Sequence, residues 1–238
     1  MKTQNLILTL CAFALSVASC NNSSLESTTA TLSSDKDTAS YYIGYMYGKQ
    51  FADLNFKELN RKVFIAGINK ALGNEDEDKD MEKMNMFLHN FFNKLSIKLA
   101  EDNLEKGKKF MEENAKKQGV KTLTDSSSVQ YKVITEGNGA KPTMDDKVKV
   151  HYAGRLINGK EFDSSIKRGE PTEFFLRQVI PGWAEALTHM PVGSKWEVYI
   201  PSDLAYGPRG ARGAIGPNET LIFEIELLDI TTPEEEKK

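Results

Sequence analysis

The sequence predicts an α+β protein: an all-helical amino-terminal dimerisation domain, joined by a long helix to a carboxy-terminal antiparallel β-sheet wrapped on one short helix. From Thr38 to Gln118 apolar residues recur at three- and four-residue intervals and proline is absent, which is the periodicity of a helix face. After Thr122 alternation takes over, as in Val129-Gln130-Tyr131-Lys132-Val133 and Val148-Lys149-Val150-His151-Tyr152. A strand of that pattern sends apolar and polar groups to opposite sides of a sheet. Among the strands, Pro181-Gly182-Trp183-Ala184-Glu185-Ala186-Leu187 reads as a single short helix. Runs of helix followed by runs of strand make an α+β arrangement.

The first residues are of another kind. Lys2 gives a positive start, Leu6 to Val17 is apolar, and the stretch closes on Val17-Ala18-Ser19-Cys20. This resembles a bacterial lipoprotein signal, so residues 1–19 are expected to be removed and Cys20 to be lipidated. The apolar run is shorter than the roughly 20 residues a permanent membrane helix needs. Of the two cysteines, Cys11 leaves with the signal and Cys20 carries lipid, so neither a disulfide nor a cysteine metal site is expected. Residues 20–37 are rich in Ser, Thr and Asn and read as a flexible tether, too polar to offset the entropy of ordering.

The helical domain is expected over residues 38–119. Its first segment sets Ile43, Tyr47 and Phe51 four residues apart, with Gly44 and Gly48 beside them, so two helices can approach closely. A second runs from a cap at Asn60 through Phe64, Ile68 and Leu72 to Gly73. The acidic run Glu75 to Asp80 reads as a loop leading into a helix start. The third, about Asp80 to Gln118, repeats Met84, Leu88, Phe91, Phe92, Leu95 and Leu99, then turns more polar as far as Phe110 and Met111. Such a helix would be roughly 55 to 60 Å long, more than one small domain covers. Its apolar stripe needs a partner surface, for which a second copy of the chain is the natural candidate.

Residues 120–238 carry the sheet. Asn158-Gly159 marks a tight hairpin between Arg155-Leu156-Ile157 and Lys160-Glu161-Phe162. Trp196 to Ile200 and Leu221 to Ile230 supply further strands.

Composition excludes several function classes. The chain has 31 basic and 34 acidic residues, a formal charge of −3 and 39% hydrophobic residues. That is ample for packed cores, and the interspersed charge offers no basic field for nucleic acid. His89, His151 and His189 lack metal-ligand spacing, and no serine sits in a nucleophile elbow. Gly207, Gly210 and Gly213 are not followed by a helix or a Lys-Ser/Thr pair, as a phosphate loop requires. The acidic run lacks the mid-loop glycine of a calcium-binding EF-hand. No metal and no cofactor are expected.

Aromatic residues are dense instead: Tyr131, Tyr152, Phe162, Phe174, Phe175, Trp183, Trp196, Tyr199, Tyr206 and Phe223 fall within about a hundred residues. Their order and context are informative. The segments VKVHYAGRLINGKEFDSS, VIPGWAEALTHMPVGSKWEVYIPSDLAYG and LIFEIELLDI closely resemble the FKBP-type peptidyl-prolyl cis/trans isomerases. The preceding YYIGYMYGKQF, the long helix and SSSVQYKVITEGNGAKP resemble the amino-terminal region of the long bacterial members, the macrophage infectivity potentiator and FkpA-like lipoproteins.

The resemblance implies a prolyl pocket floored by Trp183. It implies catalytic roles for Tyr152, Phe162, Asp163, Tyr206 and Phe223, and substrate contacts from Arg168, Phe174, Val179, Ile180 and Ile215. Asp163 matches the family's pocket carboxylate, with Arg168 as its basic partner. The Ile180 N–H and the Tyr206 hydroxyl match groups that bond peptide carbonyls. Gly216 departs from the pattern, standing where the family often has a proline, and Val129 follows Ser128 where Gly-Leu is commoner.

The expected activity is isomerisation of prolyl bonds in exported proteins, with chaperone activity; the alternative is a proline-binding module without turnover. Expected partners are unfolded or proline-containing polypeptides, a second copy through residues 38–119, and a membrane through the lipid. The expected location is the bacterial envelope, at the outer membrane and facing the periplasm.

Overall fold

The computed structural model describes residues 30–54, 56, 58–73, 81–211 and 213–231. The expected signal, Cys20, most of the tether and the acidic run Glu75 to Asp80 lie outside the described residues. The chain parts into two compact units, residues 1–46 and 47–238.

The first unit contains the start of α1 (Asp35–Asp53). Ser34 Oγ accepts from the Asp37 N–H at 3.2 Å and donates to its carboxylate at 2.8 Å, which satisfies one of the free N–H groups at the helix start. Tyr41, Tyr42, Ile43, Tyr45 and Met46 remain exposed.

In the second unit, Phe51, Phe56, Phe64, Phe91 and Phe92 form an aromatic knot of edge-to-face pairs with centroids 5.3 to 5.9 Å apart. The knot joins the end of α1 to α2 (Arg61–Leu72) and α3 (Met81–Asn114). Asn60 caps α2, accepting from the Val63 N–H at 3.2 Å. The aromatic knot covers only part of the apolar surface: Phe87 is 68% exposed and Leu88 48%.

The third helix is shorter than its composition predicts. Its 34 residues span about 50 Å and end at Asn114, whose buried side chain donates to Gln130 Oε1 at 2.9 Å. That bond ties the end of the helix to the sheet, and Gly119, at φ +83°, turns the chain into it.

The second half of α3 does not stand free. Ala100, Asn103, Gly107, Phe110 and Asn114 follow a three-four spacing along one side, and Asn103, Gly107 and Asn114 are buried. A Cβ on Gly107 would lie 2.3 Å from Thr220 Oγ1, so only glycine permits this approach. Phe110 lies 6.0 Å from Tyr199, on the outer face of the sheet.

The sheet has seven strands, β1 (Val120–Thr122), β2 (Gln130–Thr135), β3 (Lys147–Leu156), β4 (Glu161–Ser164), β5 (Thr172–Phe175), β6 (Lys195–Ile200) and β7 (Leu221–Thr231). They run in the order β1-β2-β6-β7-β3-β4, all antiparallel, with β5 also on β3. Along β3, Val148, Val150, Tyr152, Gly154 and Leu156 are buried while their neighbours are not. This is the alternation expected of a strand with one face on the core. Opposite them lie Phe223, Ile225 and Leu227 of β7.

On that inner face lies α5 (Pro181–His189), longer by two residues than the expected short helix. Trp183, Ala186 and Leu187 join the core. A Cβ on Gly182 would meet Ile200 Cγ2 at 2.3 Å, so the helix lies hard against β6.

The short α4 (Ser165–Arg168) and β1 and β5 were not foreseen. Strands β4 and β5 share one edge of β3, the first pairing Ala153 to Arg155 and the second Lys147 to Val150, and α4 bridges the gap. Ser164 caps it by accepting from the Lys167 N–H, and Gly169 ends it at φ +84°.

Candidate active site

A hollow of about 250 Å³ opens between β3, β4, β5, α5 and the segment around Tyr206. It is lined by Tyr152, Phe162, Asp163, Phe174, Gln178, Val179, Ile180, Trp183, Tyr206 and Phe223. That is below the roughly 300 to 1,000 Å³ of sites for drug-sized ligands, a size for one or two residues of a chain.

Trp183, 4% exposed, forms the floor. Its indole meets Tyr152 at 5.2 Å, Phe223 at 5.2 Å and Phe174 at 5.6 Å, each edge to face. Phe162 stands edge-on to Phe223 at 5.6 Å. Such T-shaped contacts suit the ring quadrupoles and fix each plane by its neighbours.

This arrangement depends on Gly154. In β3 it pairs with Phe223 on one side and Asp163 on the other. A Cβ there would lie 2.7 Å from ring carbons of both Phe162 and Phe223. Its absence lets the two rings close over the strand.

The polar side of the hollow is a ring of bonds. The Tyr152 hydroxyl and Arg168 Nη1 each donate to one oxygen of Asp163. Arg168 Nη2 donates to the Tyr152 oxygen at 3.0 Å and to Thr172 Oγ1 at 3.2 Å. Ser165, fully buried, accepts from the Tyr152 N–H at 2.8 Å and fixes α4 to β3. Burial resists the ionisation of Asp163, but the hydrogen bonds from Tyr152 and Arg168 outweigh it and hold the carboxyl below its ordinary 3.8. Burial, then the bond to Asp163, pushes the Tyr152 phenol up. At neutral pH the pair is therefore a carboxylate with a protonated phenol.

Two residues of the lining carry donors without a partner among the described residues. Ile180 starts α5, its carbonyl accepting from Trp183 and Ala184, while Pro181 takes the first helical position where no donor is needed. The Ile180 N–H has no partner among the described residues. Tyr206, 42% exposed, makes no hydrogen bond among them either. Burial and then the Asp163 charge push its hydroxyl up, so it stays a donor.

Nine of the expected pocket residues are thus gathered around one hollow. Arg168 is not in its lining and bonds to Asp163 and Tyr152. Ile215 is not part of its lining: it is buried in a bridge with Ala211 and lines a second cavity of about 270 Å³ with Leu99 and Leu156. The reason is the loop before β7, which carries Ile215 toward α3. Gln178 lines the hollow and was not foreseen; its place directly before Val179-Ile180 was the available signal.

Comparison with known proteins identifies a family and a fold. A family model described as FKBP-type peptidyl-prolyl cis-trans isomerase matches residues 138–228. One described as the domain amino terminal to it matches residues 36–133. The FKBP-type 22 kDa peptidyl-prolyl cis-trans isomerase of Escherichia coli strain K12 is 44% identical over 85% of this chain and 99% of its own length. The outer membrane protein MIP of Legionella longbeachae is 43% identical over 88% of this chain and 92% of its own. The crystal structure of FkpA from Escherichia coli aligns with a TM-score of 0.62 at 37% identity, covering 84% of this chain and 98% of that one.

Proposed function

Because this chain belongs to the FKBP-type peptidyl-prolyl cis-trans isomerases, we propose that it turns prolyl bonds in the hollow over Trp183, with Asp163, Tyr152, Tyr206 and Ile180 as its polar machinery. The observation that carries this reading is the hollow itself, open and walled by rings, with an ionised carboxylate at one side.

The reaction needs no covalent intermediate. Rotation about an amide is opposed by ~18–20 kcal/mol of lost resonance, and free prolyl bonds take tens to hundreds of seconds to turn. The planar amide carries partial negative charge on oxygen and partial positive charge on nitrogen. Twisting removes that separation. Apolar walls from Phe162, Trp183 and Phe223 give the planar form less solvation than water does, which lowers the relative cost of the twisted one. A carboxylate beside the carbonyl oxygen acts in the same direction, since it repels the planar oxygen more than the twisted one. Asp163 is held ionised for this by Tyr152 and Arg168.

The Ile180 N–H and the Tyr206 hydroxyl, both without partners among the described residues, suit the carbonyls flanking the prolyl bond and would hold the chain in a turn. Such contacts accelerate only as far as they strengthen on twisting. Phe174, Val179 and Gln178 complete the wall.

Asp163→Ala and Tyr206→Phe test the assignment. Each should lower turnover on a short X-Pro peptide by about tenfold or more with the fold intact. Unchanged turnover in both variants refutes the roles given to these groups.

The chain is further proposed to act in the bacterial envelope on exported polypeptides, as a dimer held by lipidated Cys20 at the outer membrane and facing the periplasm. Residues 1–19 would be the removed signal, 20–37 the tether, 38–119 the dimerisation domain and 120–238 the isomerase domain. Supporting this are the exposed apolar residues of α1, α2 and the first half of α3, and a relative whose name is outer membrane protein MIP. Two hollows engaging one unfolded chain would raise effective concentration without new contacts, which suits chaperone activity.

A further inference from the structure

A continuous set of bonds runs from α3 to the residue after Tyr206. The side-chain Nδ2 of Asn218 donates to the Ala100 carbonyl of α3 at 3.1 Å. Its backbone N–H donates to the Gly207 carbonyl at 2.9 Å. Asn103, one turn along α3 and 7% exposed, donates to the Pro217 carbonyl at 2.9 Å. The helix thus grips two consecutive residues, Pro217 and Asn218, at the base of the loop that Tyr206 opens. Asn218 sits at φ +54°, a conformation that asparagine tolerates better than most side chains.

That loop is held within itself by the bridge of Ala211 with Ile215, and its glycines leave the backbone on either side of the bridge freer. Gly207, Gly210, Gly213 and Gly216 fall at every third position, and glycine leaves the backbone free. Among the described residues the Tyr206 hydroxyl has no hydrogen-bond partner to hold its ring, so it goes where the backbone takes it. On its carboxy-terminal side that backbone is pinned through Gly207 to Asn218, and through Asn218 to the helix.

We propose that Asn218 is a positioning residue that ties the place of the Tyr206 hydroxyl to the docking of α3. This rests on the reading of Tyr206 as a donor to substrate. The helix and the hollow are then one mechanical unit, and a change in α3 that loosens Ala100 or Asn103 slows turnover without touching the hollow.

In the full chain, Asn218→Gly permits the positive-φ backbone and the N–H to Gly207 and removes the side chain with its amide donor. Asn218→Asp retains the side-chain size and replaces the donor by an acceptor that repels the Ala100 carbonyl, and Asn103→Ala removes the second grip. Each should lower kcat by about 3- to 10-fold with KM held within about twofold. In a Tyr206→Phe background, Asn218→Gly should cost nothing further, because both changes act on one hydroxyl.

Wild-type kcat in Asn218→Gly and Asn218→Asp overturns the proposal, as does the same fold loss with and without the hydroxyl. Wild-type turnover in Tyr206→Phe alone refutes the donor reading itself. That result is distinct from failure of the link, in which Tyr206→Phe is slow and Asn218→Gly is not.

Discussion

Replacing Gly154 by alanine places one carbon where the site has no room for it. The new Cβ would lie 2.7 Å from Cε2 and Cζ of Phe162 and 2.7 Å from Cε1 of Phe223. Carbons rest at about 3.5 to 4.0 Å, so each ring must retreat by roughly 0.8 Å or more. Phe223 cannot: it is 4% exposed and packed on Trp183 at 5.2 Å. Phe162 is only half-buried, and the strain is relieved by its moving away from β3 and out of its place in the wall.

Overpacking of this kind costs about 1 to 3 kcal/mol. Even a domain at the low end of natural stability, about 5 kcal/mol, keeps about 3 kcal/mol after a 2 kcal/mol loss and stays about 99% folded. Turnover, by contrast, should fall about 10- to 100-fold, the scale of an ångström-sized misplacement of a wall. The assay pairs urea denaturation with isomerisation of an X-Pro peptide at a temperature where the variant is folded. Turnover within twofold of wild type, or a loss fully explained by the unfolded fraction, refutes the account of Gly154.

Asp163 titrates below 3.8 in the folded chain, so its ionised form favours folding above that value and the contribution is lost as pH falls through the lower, folded-state one. Turnover should therefore stay level from pH 7 to about 5, and Arg168→Gln, which removes one of the bonds holding the carboxylate, should move the acid limb upward; an unmoved limb contradicts the role of Arg168. Gly107→Ala should destabilise by about 1 to 3 kcal/mol in denaturant titrations, since its Cβ would meet Thr220 Oγ1 at 2.3 Å. In an undocked helix the same change stabilises by roughly 1 kcal/mol, so a stabilised variant means α3 does not dock there. Phe87→Glu, at a position 68% exposed, should halve the mass seen in sedimentation if the helices pair as proposed, and an unchanged mass moves the interface elsewhere.

The elements legible in the sequence are those in which one face alone is buried over several residues. In β3 the buried set Val148, Val150, Tyr152, Gly154 and Leu156 is the alternating pattern itself. The hairpin at Asn158-Gly159 shows because Gly159 sits at φ +85°, where few other residues go. Strand β5 and helix α4 are four residues each, too short for a period to register. Their places are set by partners on β3 and by a serine cap. The overestimated end of α3 has the same origin. Ala115 to Gln118 are acceptable helix formers, and what ends the helix is the bond from Asn114 to Gln130 in the sheet.

The site divides in the same way. Its rings and carboxylate could be assigned by motif, one residue at a time, yet the motif does not reveal that both Asp163 oxygens are already taken by Tyr152 and Arg168, or that Ile215 faces another cavity. The least legible feature is the docked side of α3. Asn103, Gly107 and Asn114 keep a helical spacing, but a search for apolar stripes assigns such residues to solvent. An asparagine is buried without penalty only when a partner meets its amide, and for Asn103 that partner is the carbonyl of Pro217, 114 residues away. No local period can encode a bond of that range. The more polar second half of α3 is therefore, in the folded chain, docked against the sheet and the loop before β7.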